Sequence, residues 1–287
     1  MTRLPGKISE RVYGDFLMSS RLAVYRALLE TALEAGYKVV SIEGFWALIR
    51  GSIVDPASRY MVLRNDIDTG PKTARAMWRI ERSLGIVSSY FFRLSSLDLA
   101  LMADIGSAGG EASYHYEELA TVAKGRHLRT PAEALRYLPE AQDLFRLNLD
   151  RLRVSSGQPI RIVASHGDFV NRKLGLTNWL ILVDQPFRAE VGIELETYDA
   201  AFMDHVTSRH ADLTNPPYWT PADPLLAIER GEPVIYVLVH PRGWQVERGL
   251  NARDDLVRGW QSLWYALPGR RRRRGSNASA AAKVGRQ

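Results

Sequence analysis

Strand-like and helix-like segments take turns along almost the whole chain, and this alternation constrains the fold more than any other feature. "RLAVYRALLETALEAG" has the spacing of an amphipathic helix stopped by Gly36, and it is followed by strand "YKVVSI" and the helical piece "EGFWALIR". Strand "YMVLRND", helix "PKTARAMWRIERSLG" with Pro71 in its first turn, strand "VSSYFFR", helix "SLDLALMADIG" and strand "EASYHYE" come next. A single long helix is expected from Pro131 to Arg153, then strand "IRIVASHG". Beyond the weakly patterned residues 174–223 lie helix "PADPLLAIERG", strand "PVIYVLVHP" and a last helix, "DDLVRGWQSLWYAL". Strands joined through helices run parallel, and this many units favours a closed or nearly closed α/β barrel over an open doubly wound sheet.

The 287 residues suit one such barrel, expected over residues 1–268, with a disordered basic tail over 269–287. The net charge of +6 hints at nucleic acid until it is located. Seven basic residues and no acid lie in "RRRRRGSNASAAAKVGRQ", Arg270 to Gln287, so subtracting them leaves −1 for the rest. An Arg run can meet phosphates, but a small-residue, low-complexity terminus reads as a solvated tail, and a nucleic-acid partner is not expected. "MTRLPGKISERVYGDF" lacks the apolar run of a signal peptide, and no segment has the roughly 18 apolar residues of a membrane span. A cytoplasmic protein with no membrane partner is the expectation. The absence of cysteine agrees, and it excludes disulfides, a thiolate nucleophile and Cys-based zinc sites. Any metal must be held by histidine and carboxylate.

In α/β barrels the chemistry gathers at the C-terminal ends of the strands. Here "YMVLRND" runs out into Asp66 and Asp68, "EASYHYE" into His115 and Glu117, "IRIVASHG" into His166 and "PVIYVLVHP" into His240. A lone histidine at a strand end is usually a satisfied hydrogen bonder; four strands delivering such groups to one rim are not so easily dismissed. Asp66 and Asp68, two apart on a strand, would point to the same side and repel unless a cation or proton is shared between them. One carboxylate and two imidazoles can bind a catalytic metal and leave positions open.

These residues carry a resemblance. "LRNDIDTGPKTARAMWRIERSLGIVSSYFFRL" resembles the first motif of the polysaccharide deacetylase (NodB-like, carbohydrate esterase family 4) superfamily, and is most similar to an intracellular branch reading Arg-His-Asp-Val-Asp. "GGEASYHYEEL" resembles the second motif, Gly-His-Glu-Ile-Gly-x-His-Tyr-Glu, "VASHGD" a Ser-His-Gly segment, and "VLVHPRGW" the closing Leu-x-His-Pro-x-x-Trp. The match runs from Tyr13 to Trp244. It implies a distorted (β/α)7 TIM-like barrel and one divalent metal ion, zinc first, with cobalt, nickel or iron as other occupants. The implied reaction is hydrolysis of an N-acyl group, typically N-acetyl, on an amino sugar or a glycosylated small-molecule biosynthetic intermediate. By matching position, Asp66 stands where the family's base stands, Asp68 and His115 are metal ligands, and His240 protonates the leaving group.

Some positions depart from the pattern. Leu119 occupies the place of a second metal histidine four residues after His115, so His166 is the candidate third ligand. Asn65 and Gly110 replace histidines that are not ligands, which bears on the tuning of the site. Arg64, Asp212 and Trp219 complete the candidate set as substrate contacts; bracing of the carboxylates is the alternative for Arg64, and a loop tether for Asp212 and Trp219 in "RHADLTNPPYW". Glu117 is expected to face solvent at the start of a helix, His127 to lie on a surface loop, and the aromatics of "GWQSLWYAL" to pack in the core. His205 and His210 stay unassigned. Other classes remain open: a hydrolase of another C–N bond, a non-haem iron oxygenase with the same ligand types, or a non-catalytic relative with a decayed metal site. The sequence leaves the oligomeric state open.

Overall fold

The computed structural model describes residues 12–267. Nine strands form one sheet: β1 (Tyr37–Val40), β2 (Arg59–Ile67), β3 (Ser89–Phe92), β4 (Glu111–Tyr116), β5 (Ile162–Ser165), β6 (Leu195–Glu196), β7 (Ser208–Asp212), β8 (Trp219–Thr220) and β9 (Val234–Val239). Their order is β6-β5-β4-β3-β2-β9-β7-β8, and β1 pairs with β2 off this path. Every ladder is parallel except β7 with β8. On one side of β2, its first half (Arg59 to Val62) pairs with β1 and its second half (Arg64 to Ile67) with β3, while the other side pairs with β9. Seven strands from β6 to β7 thus make a continuous parallel wall, the nearly closed α/β barrel that the alternation anticipates, in the distorted (β/α)7 form that the resemblance implies.

The wall curls. Four strand steps separate β2 from β6, roughly 19 Å in a flat sheet. Arg64 on β2 nevertheless donates through Nη1 to Thr197 Oγ1, one residue beyond β6, at 2.8 Å. Curling is driven by what the concave face buries. Tyr60 and Val62 of β2, Phe91, Ile162, Ala164, Leu195 and Tyr236 close on one another, together with Phe45 and Phe202 from flanking helices. Along β2 the same parity continues to Arg64 and Asp66, so the apolar interior changes to a polar floor toward the C-terminal end. The convex face packs the helices through two further clusters, one around Trp78, Tyr114 and Phe145 and the other around Tyr25, Met61 and Trp244.

The helices follow local signals. They are α1 (Leu22–Glu34), α2 (Ile42–Arg50), α3 (Pro71–Ser83), α4 (Leu99–Ser107), α5 (Glu118–Gly125), α6 (Pro131–Arg136), α7 (Leu138–Ser156), α8 (Phe169–Leu174), α9 (Gln185–Glu190), α10 (Ala200–Met203), α11 (Pro224–Glu229) and α12 (Arg248–Ala266). Ser41 caps α2, Asp98 caps α4, and Thr130 with Glu133 forms a capping box on α6. The single helix expected from Pro131 breaks at Tyr137 into α6 and α7, because Pro139 can serve only a first turn. Helix α5 is the helix expected to begin at Glu117; five of its eight residues are buried, and its outer side is only Thr121, Lys124 and Gly125. The weakly patterned region holds the two-residue strands β6 and β8, too short for alternation to register, and β7 between them. The basic tail, 269–287, lies outside the described residues.

Candidate metal centre and its flanking carboxylates

The C-terminal ends of β2, β4, β5, β7 and β9 meet at one rim. Asp66 is the last inward residue of β2, and Asp68 follows the strand where the chain turns through Thr69 and Gly70 into α3. Gly70 has φ +73° and ψ 49°, a left-handed conformation that glycine adopts without strain and that lets Pro71 start the helix. His115 is the inward residue at the end of β4, in register with Ala164 of β5. His166 comes one residue after β5, and His240 one residue after β9.

Three of these side chains converge. His115 Nε2 lies 3.2 Å from Asp68 Oδ1, His166 Nδ1 lies 2.9 Å from the same oxygen, and the two nitrogens are 3.2 Å apart. Edges near 3.3 Å are those of a tetrahedron with bonds of about 2.0 Å, the length of zinc bonds to histidine and carboxylate. The chemistry of the donors fits a cation in a second way. His115 Nδ1–H donates to the Ala164 carbonyl at 2.9 Å, which leaves Nε2 as a lone-pair donor aimed at the cluster. Asp68 Oδ1 is buried with no hydrogen-bond donor, although two imidazole nitrogens surround it. A negative, under-satisfied oxygen among imidazole lone pairs is what a divalent cation neutralises.

Asp66 stands beside this triad, with Oδ2 3.4 Å from His115 Nε2. Its carboxylate is gripped by Arg64: Nε donates to Oδ1 at 2.7 Å and Nη2 to Oδ2 at 2.7 Å. Arg64 is completely buried, and its remaining donors reach Thr197 and Tyr236. Desolvation would raise the Asp66 carboxyl, yet the charge and hydrogen bonds of Arg64, together with His115 and His240, outweigh it and hold the group below its ordinary range. The expectation of Arg64 as a substrate contact is therefore corrected: its guanidinium is spent inside the barrel on holding Asp66.

Across the rim, His240 Nδ1 donates to Asp212 Oδ1 at 2.7 Å, and its backbone N–H donates to Asp212 Oδ2 at 2.8 Å. The Trp244 indole also donates to Oδ2, at 2.9 Å. Burial works against a charged imidazole, but the charge and hydrogen bond of Asp212, with Asp68 and Asp66 behind them, outweigh it, and the His240 pKa rises to about 9. Asp212 was expected to touch substrate; its buried side chain has both oxygens committed to His240 and Trp244. Trp219 is a second correction. It is buried against Trp244, with ring centroids 5.8 Å apart, in the same core cluster as Tyr25 and Met61.

Other expectations resolve as follows. Glu117 does not face solvent but forms a bidentate pair with Arg93, at 2.7 and 2.8 Å, beneath the Asp68 turn. Leu119 is buried in the convex core and points away from the triad. Asn65 has the opposite parity to Asp66, so its amide reaches Ser88 and Glu81 on the convex side and does not tune the centre directly. A side chain at Gly110 would meet Ile105 Cγ2 at 2.9 Å, so this chain has packed a helix where the family pattern has histidine. His210 is satisfied by the Ala222 carbonyl at 2.7 Å and stands apart from the centre. His127 sits in a turn with φ +52°, beside the Trp264 ring.

A cavity of about 150 Å³ opens on the rim between Asp68, Thr69, Asp212 and His240, with Arg242 and Arg258 at its edge. No family model matches this sequence, and no curated protein matches it. Among solved structures the chain is similar to the Streptococcus pyogenes deacetylase PplD in complex with acetate, at 14% identity over 67% of this chain and 75% of that one, with a TM-score of 0.41. It is also similar to a CE4-family pseudoenzyme of Bacillus anthracis, at 13% identity over 73% of this chain and 63% of that one, with a TM-score of 0.37. A mutant of that pseudoenzyme with restored enzymatic activity gives 13% identity, 73% and 65% coverage and a TM-score of 0.39. The solved structures to which the chain is similar thus include a deacetylase and a CE4-family pseudoenzyme.

Proposed function

We propose that this chain is a divalent-metal-dependent amide hydrolase that removes an N-acyl group, N-acetyl in the first instance, from an amino sugar or a glycosylated small molecule. One observation carries the reading: the Asp68–His115–His166 triad, with both histidines buried and Asp68 half-buried, lies between an arginine-held carboxylate, Asp66, and a carboxylate-held imidazole, His240. Asp68, His115 and His166 would hold the cation, with zinc favoured by the ligand set. When bound there, the metal supplies acidification of water and polarisation of an acyl oxygen.

The chain's own residues divide the proton work. Asp66, kept ionised and immobile by Arg64, accepts the proton of the attacking water as its oxygen bonds to the acyl carbon. His240, kept protonated by Asp212, gives its proton to the amine nitrogen as the C–N bond breaks, leaving a carboxylic acid and a free amine. The small cavity favours entry of the acylated nitrogen alone, with the bulk of the substrate outside the rim.

The test combines metal content by elemental mass spectrometry with acetate release from a panel of N-acetylated amino sugars and nucleotide-linked amino sugars. About one zinc, cobalt, nickel or iron per chain, lost in His166→Ala, together with acetate release abolished in the same variant, is the expected result. A chain that holds no metal after reconstitution, or that hydrolyses no amide in the panel when loaded, overturns the reading.

A further inference from the structure

Helix α12 is amphipathic in the reverse sense. The aromatic cluster it carries was expected in the core, yet of its aromatic residues only Tyr265 is buried. Leu256, Trp260 and Leu263 are 75%, 70% and 65% exposed, and Trp264, Val257 and the adjoining Leu267 are about half exposed. Positions 256, 260, 263 and 267 repeat at helical spacing, with 257 and 264 alongside, so the six form one stripe spanning about 120° at 100° per residue. The face turned to the body is polar: Asn251 donates to the Asp15 carbonyl at 2.8 Å, Asp255 pairs with Arg242 at 3.1 Å, and Asp254 accepts from Thr69. A helix seated on a protein by its polar side, with two tryptophans and three leucines facing outward, is not a solvated surface helix.

The charge beside the stripe identifies what covers it. Three residues past Leu267 the sequence runs into five consecutive arginines, Arg270 to Arg274, with Lys283 and Arg286 beyond and no acid among them. Apolar side chains that include tryptophan, joined to a polybasic run, match the two layers of an anionic bilayer surface: acyl boundary for the stripe, lipid phosphates for the arginines. A second copy would cover the stripe but would meet the arginines with arginines, and nucleic acid would meet the arginines but leave the stripe in water. No helix among the described residues is long and apolar enough to cross a membrane. We propose that α12 and Arg270–Arg274 together dock this protein on the surface of an anionic phospholipid membrane. Arg258, on the body side of α12, lines the cavity beside Asp68 and His240, so docking brings the mouth of the candidate site next to the bilayer.

The test is co-sedimentation of the full chain with vesicles of phosphatidylcholine alone or mixed with phosphatidylglycerol. Binding to the mixed vesicles should exceed binding to neutral ones roughly tenfold. It should fall by a similar factor when Trp260→Ser and Trp264→Ser are combined, and again when Arg270–Arg274 are replaced by serine. Circular dichroism and metal content should not change in either variant, which separates this outcome from failure of the hydrolase reading. Sedimentation that ignores phosphatidylglycerol overturns the proposal, as does undiminished binding in the tryptophan variant. A dimer dissolved by Trp260→Ser with no vesicle binding assigns the stripe to a second copy, and oligonucleotide retention without vesicle binding assigns the arginines to nucleic acid; either result also overturns it.

Discussion

The Asp212 carboxylate holds His240 twice, accepting from the ring Nδ1–H at 2.7 Å and from the same residue's backbone N–H at 2.8 Å. This double grip fixes the ring's position through the backbone and its charge through the carboxylate. With its pKa at about 9, His240 carries its proton through the neutral range and loses it only in alkali. As a proton donor it should therefore give a rate that is level at neutral pH and falls as pH rises through 9. Asp212→Asn removes the countercharge, so the alkaline limb should move down toward the ordinary imidazole pKa of about 6.5. The pH profile of kcat reads this directly, with a loss of roughly thirtyfold at pH 8. An unmoved alkaline limb in Asp212→Asn would refute the assignment.

Metal retention and hydrolysis should come apart at the aspartate pair. Asp68→Ala and His115→Ala each remove a ligand atom from the triad and should lose both. Asp66→Asn keeps the triad and should hold metal while losing turnover by a factor of roughly 10² to 10⁴. Elemental analysis beside acetate release distinguishes the two, and full turnover in Asp66→Asn would sink the division of roles.

Arg64 and Asp66 form a fully buried ion pair, so the loss of one partner leaves the other charged and uncompensated inside the barrel. Arg64→Met should cost about 3–5 kcal/mol. In a domain of this size that lowers Tm by roughly 10 °C. The double variant Arg64→Met/Asp66→Asn carries no stranded charge and should recover part of the loss. Differential scanning calorimetry of the two variants is the check; equal Tm values would mean that the pair is not what stabilises the floor.

Glu81 predicts a stability that falls with rising pH. It lies fully buried on α3 and accepts from Ser88, Tyr90, Asn65 and Tyr25, yet burial outweighs these bonds and raises its pKa from 4.5 to about 7. Below pH 4.5 the group is protonated in folded and unfolded chains alike. Between 4.5 and 7 only the unfolded chain ionises, so the folded state loses ground, by roughly 3 kcal/mol in all. Glu111, raised to about 7 by burial as well, adds to the same slope. Glu81→Gln should flatten the decline in urea midpoint between pH 5 and 7, and an unchanged slope would count against a protonated Glu81.

Much was legible from local pattern. Strand and helix periods, Gly36 as a stop and Pro71 as a start anticipated the parallel wall, because these signals depend on neighbouring residues alone. Strand ends brought Asp66, Asp68, His115, His166 and His240 to one rim before any distance was known, and the resemblance singled out Asp68 and His115 as ligands with His166 as the candidate third. Alternation in a strand determines which side a residue faces, and parallel strands share their C-terminal end. These rules hold whatever the rest of the chain does.

Tertiary structure decided how each of these groups is held. That Arg64 serves Asp66, that Asp212 serves His240 and that Trp219 packs on Trp244 depend on β7 and on a curl that lets Arg64 reach Thr197 and Tyr236, far along the chain. Helix α12 makes the same point in reverse. Its sequence shows two faces, and periodicity cannot say which one turns inward. The body offers α12 the Asp15 carbonyl, Arg242 and Thr69, which satisfy its polar side, and so the tryptophans are left facing out. A period reports that a helix has two sides; only the partner surface, assembled from distant parts of the chain, selects between them.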